Sequence, residues 1–114
     1  MHELSIAQSI LSIAKNAIPQ KQPAVVTGIS LEIGELSGIE IAALEFAFSI
    51  IKENTALERA TLRIDIVNGE AECQECRTIF PVHSYGNCCP NCNGYQQKIL
   101  KGREMRVLNI IVEE

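Results

Sequence analysis

Two Cys-x-x-Cys pairs, Cys73-Gln-Glu-Cys76 and Cys89-Pro-Asn-Cys92, stand twelve residues apart and constrain the fold of this 114-residue chain more than any other feature. A two-residue gap lets both sulfurs of a tight turn point at one ion while turn amides donate to them, and two such turns complete a tetrahedron of thiolates. Four thiolates leave no open coordination position, so a site of this kind serves structure rather than catalysis. Two matched pairs favour Zn(II) over a redox dithiol or free cysteines. Cys88 adds a fifth thiol directly before Cys89, and either could close the second pair. Cys89 has the spacing of the first pair, and Pro90 suits the turn. The segment 70–103 around these cysteines has only Ile79, Phe80, Val82, Tyr85, Tyr95, Ile99 and Leu100 as large apolar groups, too few to fold without a crosslink. Zinc would supply one.

The remainder shows two segments of helical period and three of strand period. Leu4, Ala7, Leu11, Ala14 and Ile18 recur at spacings of three and four, predicting an amphipathic helix that ends near Pro19. Ser37 with Glu40 three residues on reads as a capping box, followed by an apolar stripe of Ile41, Leu44, Phe48 and Ile51 in a second helix ending near Asn54. Ile29, Leu31 and Ile33 alternate with Ser30, Glu32 and Gly34, and Leu62, Ile64 and Ile66 with Arg63, Asp65 and Val67, as in half-buried strands. The last segment, Arg106 to Val112, is apolar on both parities, which suits a central strand or one whose second face meets something. The fold class expected is α+β: two helices packed on a three-stranded sheet, with an inserted zinc-ribbon or rubredoxin-like knuckle lobe between the last two strands. Residues 1–69 and 104–114 would form the α/β domain and 70–103 the inserted zinc-binding domain.

Charge and composition exclude several roles. A hydrophobic content of 46% with 21% charged residues argues against disorder, and a net charge of −4 gives no general attraction to nucleic acid or anionic membrane. A zinc-ribbon module binding nucleic acid or protein is the alternative reading, since Tyr85 and Tyr95 lie near the knuckles. Yet segment 70–103 carries four basic and three acidic residues, without the basic stripe that backbone binding requires. An enzyme is not expected, because four cysteines close the zinc and no base stands beside Cys88 in sequence. His83 reads as a solvated loop residue, and Glu70, Glu72 and Glu75 as a solvated acidic face. No cationic segment precedes an apolar stretch at Met1-His2-Glu3, and no run approaches the roughly 18 apolar residues of a membrane span. The chain is expected to be cytoplasmic, where thiols stay reduced and paired cysteines hold metal.

The extreme N-terminus is a second candidate site. An imidazole at position two can chelate a metal together with its own backbone nitrogen and either the terminal amine or the next amide, a planar set that Ni(II) and Cu(II) favour. On chemistry alone a histidine at a chain start is usually just solvated. Taken together, however, Met1-His2-Glu3-Leu4-Ser5, the two Cys-x-x-Cys pairs and Gly102-Arg-Glu-Met105 resemble HypA and its paralogue HybF, the nickel metallochaperone family of NiFe-hydrogenase maturation. The resemblance covers the whole length. It implies that His2 is the key nickel ligand, with backbone nitrogens at His2 and Glu3 contributing, and that Glu3 influences partner interaction; the amine of Met1 is the alternative donor that chelate chemistry offers. It also implies zinc on Cys73, Cys76, Cys89 and Cys92, and delivery of nickel to the hydrogenase large-subunit precursor with the GTPase HypB. Arg77 departs from the family pattern, standing where a glycine is common. The second face of the final strand, with Met105, Val107 and Ile111, would serve a contact with HypB, with the hydrogenase or with another copy in a homodimer.

Overall fold

The computed structural model of the chain describes residues 3–18 and 25–113. Its elements run α1 (Glu3–Ala17), β1 (Val25–Gly34), α2 (Ile41–Ile51), β2 (Thr61–Val67), β3 (Glu70–Cys73), β4 (Ile79–Pro81), β5 (Gln97–Lys101) and β6 (Met105–Glu113). They make two three-stranded sheets, in the orders β2-β1-β6 and β4-β3-β5. The protein is thus a mixed α+β fold of two helices and two small sheets. The final strand returns beside β1, as expected, but at the sheet edge rather than its centre. Its apolar Leu108, Ile111 and Val112 stay exposed. The cysteine-rich segment carries a sheet of its own, built from strands of four, three and five residues, too short to show a period in sequence. By its internal contacts the chain divides into two compact units, one of Met1–Leu31, Ile39–Ile64 and Val107–Glu114, the other of Glu32–Gly38 and Asp65–Arg106.

In the first unit α1 and α2 pack on one another. The buried positions of α1 are Glu3, Ala7, Ile10 and Ala14. Ala7 and Ala14 belong to the predicted stripe, but Ile10 replaces Leu11 at its centre and Leu4 is 54% exposed. Apolar residues cover more than one face of this helix, and the face that is buried carries two small alanines, Ala7 and Ala14. Leu44 and Phe48 of α2, Val26, Ile29 and Leu31 of β1, and Leu57 and Ala60 of the following turn complete the buried apolar set. Lys52 caps the end of α2 and sends its ammonium to the Ala60 carbonyl at 2.8 Å, fastening that turn.

The start of α2 differs from the predicted capping box. Glu40, not Ser37, is the N-cap, with its own carboxylate accepting from the Ala42 N–H at 3.3 Å. The N–H of Glu40 is in turn taken by the Glu3 carboxylate, at 3.2 Å. Two carboxylates at one helix N-terminus satisfy orphan amides and oppose the helix dipole, together worth on the order of 1 kcal/mol. The reciprocal partner that a capping box draws from three residues on comes here from the first turn of α1.

In the second unit β3 is the central strand. It pairs antiparallel with β4 through Ala71↔Phe80 and Glu72↔Ile79. With β5 it pairs through Ala71↔Ile99, Glu72↔Lys98 and Glu70↔Lys101. Glu70 and Glu72 are therefore half-buried and face lysines across the sheet rather than forming a free acidic face. Leu36, Ala71, Phe80, Val82, Cys73 and Cys89 form the buried cluster, with Cys76 and Ile99 against it. Backbones run unusually close beside it. A side chain on Gly34 would land on the Gly102 carbonyl, and Gly102 has φ +117°, so both positions require glycine. This accounts for the Gly102-Arg-Glu-Met105 start of β6, where the Gly34 N–H reaches the Glu104 carbonyl and the Leu36 N–H reaches Gly102.

Candidate metal centre

The two Cys-x-x-Cys segments adopt the same turn. In the first, the Cys73 N–H donates to the Thr78 carbonyl at 2.8 Å, and the Arg77 N–H returns to the Cys73 carbonyl at 2.9 Å. In the second, the Cys89 N–H donates to Gly94 at 2.9 Å, and the Asn93 N–H to Cys89 at 2.8 Å. The residue after each second cysteine is left-handed, Arg77 at φ 67° and Asn93 at φ 62°. This bond pattern folds each pair back on itself so that both sulfurs face one point.

The four sulfurs, Cys73, Cys76, Cys89 and Cys92, lie within 4.8 Å of one another, and Cys88 is outside the group. Across the two turns Cys73 Sγ is 3.5 Å from Cys92 Sγ, and Cys76 Sγ is 3.6 Å from Cys89 Sγ. A disulfide has its sulfurs about 2.05 Å apart, so these are not bonded pairs. A tetrahedron with metal–sulfur bonds of about 2.3 Å has edges of about 3.8 Å, close to what is seen. The donor set and its spacing therefore fit a tetrahedral thiophilic ion such as zinc.

Sulfur electrostatics point the same way. The Thr78 hydroxyl, 3.2 Å from Cys76 Sγ, stabilises its thiolate most, followed by the Asn91 side-chain amide at 3.5 Å, and the thiol is pulled down to about 5. For Cys92 the Gly94 N–H is the largest single influence and acts downward. The hydrogen bond from Cys73, desolvation and the other neighbouring thiols outweigh it and push Cys92 up to about 12. Four thiols this close cannot all ionise against their mutual repulsion, whereas a dication among them makes every thiolate favourable. The Asn91 N–H also approaches Cys89 Sγ at 3.4 Å, so the turn supplies donors to bound thiolates. Thr78, two residues beyond Cys76, and Asn91, inside the second pair, are not legible as sulfur partners, since the cysteine spacing fixes neither residue type.

Other residues marked in the sequence have more definite surroundings than expected. His83 is exposed but not merely solvated: its Nδ1 lies 3.2 Å from both oxygens of Glu35. Glu35 also accepts from the Gly69 N–H at 2.5 Å, which, with His83 second, holds its carboxyl below the ordinary range. Tyr85 donates to the Leu36 carbonyl at 3.1 Å and lies under the Arg103 guanidinium, whereas Tyr95 is exposed. Met1 and His2 lie outside the described residues. Glu3, the first described, is buried, with its carboxylate at the start of α2.

A family model described as hydrogenase/urease nickel incorporation, metallochaperone, hypA matches residues 1–112. The chain belongs to the HypA family. Hydrogenase maturation factor HypA of Parabacteroides distasonis is 42% identical over 114 residues, covering 100% of this chain and 99% of the relative. The protein of the same description from Geobacter sulfurreducens is 40% identical over 113 residues, covering 99% and 100%. Among solved structures, the nickel metallochaperone HypA from Helicobacter pylori aligns with a TM-score of 0.63 at 26% identity over 96% of each chain. A second HypA solution structure aligns at 0.67 and 27%, over 96% of this chain and 94% of the other. The family is one of metallochaperones, maturation factors rather than enzymes. Among the described residues no helix is long and apolar enough to cross a membrane.

Proposed function

We propose that this chain carries Ni(II) on its N-terminal Met1-His2-Glu3 motif and delivers it to the hydrogenase large-subunit precursor with the GTPase HypB, while Cys73, Cys76, Cys89 and Cys92 hold a structural Zn(II). The observation that carries this reading is the closed four-sulfur group: its donors fill a tetrahedron, so an exchangeable cargo ion needs other ligands. Membership of a nickel-incorporation family supports nickel as that cargo. The imidazole of His2, the backbone nitrogens of His2 and Glu3 and the amine of Met1 form a planar nitrogen set of the type nickel prefers. Few protein ligands at a chain end are readily rearranged by a receiving partner, as a carrier requires. Zinc bound by the four thiolates would crosslink the segment 70–103 and take no part in transfer; residues 1–69 and 104–114 form the nickel-binding part.

The test is a nickel titration of the native chain, the His2→Ala variant and a chain extended before Met1, with zinc measured in each. The variant and the extended chain are expected to lose nickel while keeping one zinc; unchanged nickel binding in all three would sink the assignment. In the native chain, nickel binding is expected to weaken between pH 7.5 and 5.5, because a protonated imidazole, with an ordinary pKa near 6.5, cannot ligate.

A further inference from the structure

Helix α2 is apolar on more of its circumference than the fold covers. Its eleven residues, Ile41 to Ile51, include only two polar ones, Glu45 and Ser49, yet only Leu44 and Phe48 are buried. A helix apolar all round is normally enclosed. Here the outward stripe is Ala42, Glu45, Phe46, Ser49 and Ile50, continued by Glu53, and all six are exposed. Phe46 is 67% exposed and Ile50 53%, four residues apart on one ridge. Ser49 gives its hydroxyl to the Phe46 carbonyl at 2.6 Å, so it offers little polarity to a partner. Beside the ridge lies a cleft of about 240 Å³ lined by Glu45, Phe48, Ser49, Lys52, Thr61 and Leu62, wide enough for one large apolar side chain.

Charge narrows the occupant. The stripe carries two carboxylates, Glu45 and Glu53, and no base; Lys52, which lines the cleft, is held by the Ala60 carbonyl over the Phe48 ring. Together with a net charge of −4, this disfavours an anionic lipid surface or an acidic segment. Helix backbone groups are bonded internally, so the surface offers no edge to an extended strand and can be read only by side chains. We propose that the outer face of α2 is a docking surface for an amphipathic helix of a partner protein. That helix sets apolar residues spaced three and four apart against Phe46 and Ile50 and places one in the adjacent cleft. Lysine or arginine residues flanking them face Glu45 and Glu53. The surface uses none of the proposed nickel ligands and is expected to persist in a His2→Ala chain.

The experiment titrates the zinc-loaded full chain with two synthetic helical peptides of one apolar pattern, one with lysines on its polar positions and one with glutamates, followed by amide chemical shifts and calorimetry. The lysine peptide is expected to bind, with shifts centred on α2 and the start of β2, and the glutamate peptide to bind at least about tenfold more weakly. Phe46→Ser and Ile50→Ser, both at exposed positions, are each expected to weaken the lysine peptide about tenfold with zinc content and circular dichroism unchanged. Glu45→Lys with Glu53→Lys is expected to reverse the peptide preference. Equal binding of both peptides, shifts centred elsewhere, or no binding would overturn the proposal. So would a native chain that self-associates in sedimentation and becomes monomeric on Phe46→Ser, which would assign the face to a second copy.

Discussion

Glu35 shows how much of this chain's local chemistry depends on one residue's neighbours. Its carboxylate receives the Gly69 N–H and His83 Nδ1, joining the end of β1 to the chain just before β3 and just after β4. These contacts favour its charged form, so its folded pKa lies below the value near 4.3 of an unfolded glutamate. A depressed carboxyl contributes stability that is present above the unfolded pKa and is lost as pH falls from there through the folded value. Glu35→Gln keeps an oxygen for the Gly69 N–H but removes the titration. The stability of the zinc-loaded variant is expected to fall less than that of the native chain between pH 5 and pH 3.5, measured by urea unfolding at each pH. Parallel curves would show that Glu35 does not titrate differently in the two states. Nothing in the sequence marks this contact, because Glu35 and His83 are 48 residues apart and neither belongs to a periodic pattern.

Elements were legible where their period is long and illegible where a distant residue completes them. The alternation of Ile29, Leu31 and Ile33 identifies β1 correctly, with all three buried. In α1 the period gives the helix but not its face, because Leu4, Leu11 and Ile18 compete with Ile10 on the same repeat; the face buried is that of Ala7, Ile10 and Ala14, which tertiary packing selects. The cap of α2 differs from the sequence expectation for the same kind of reason: Glu3, from another element, occupies the amide that a local box would use. The spacing of the paired cysteines, in contrast, is sufficient in itself, since the repeated turn is made within six residues. That repetition carries a test. Asn93 tolerates the left-handed conformation, but Arg77, at the equivalent place, bears a cost of roughly 1 kcal/mol there. Its ion pair with Glu72, 3.8 Å apart with Arg77 mostly exposed, returns little. Arg77→Gly is expected to raise the stability of the zinc-loaded chain by about 0.5 kcal/mol, the relieved strain less the entropy cost of glycine. Asn93→Gly is expected to change it less. A fall in the urea midpoint for Arg77→Gly would mean that Arg77 makes a contact worth more than its strain.

At the scale of the whole molecule the two compact units differ in what holds them. The first has Ala7, Ile10, Ala14, Val26, Ile29, Leu31, Leu44, Phe48, Leu57 and Ala60 buried, a core of ordinary kind for its size. In the second, the buried cluster has Leu36, Phe80 and Val82 as large apolar members beside Ala71, Cys73 and Cys89, with Ile33 of β1 the further large apolar residue buried in this unit. Units this small and this poor in core depend on a crosslink, and a structural zinc contributes on the order of 10 kcal/mol to the folding of such a lobe. The stability of the second unit should therefore follow the metal, and that of the first should not. Cys89→Ser removes one of the four clustered sulfurs, whereas Cys88→Ser removes a thiol outside the group. Cys88→Ser is expected to retain one zinc per chain and native exchange protection throughout. Cys89→Ser is expected to lose zinc and, with it, amide protection in β3, β4 and β5, while the amides of α1 and α2 remain protected. If Cys88→Ser lost the metal instead, the second knuckle would be built on the other adjacent thiol. If α1 and α2 lost protection together with β3 to β5, the two units would fold as one, and the zinc would stabilise the helices as much as the lobe that holds it.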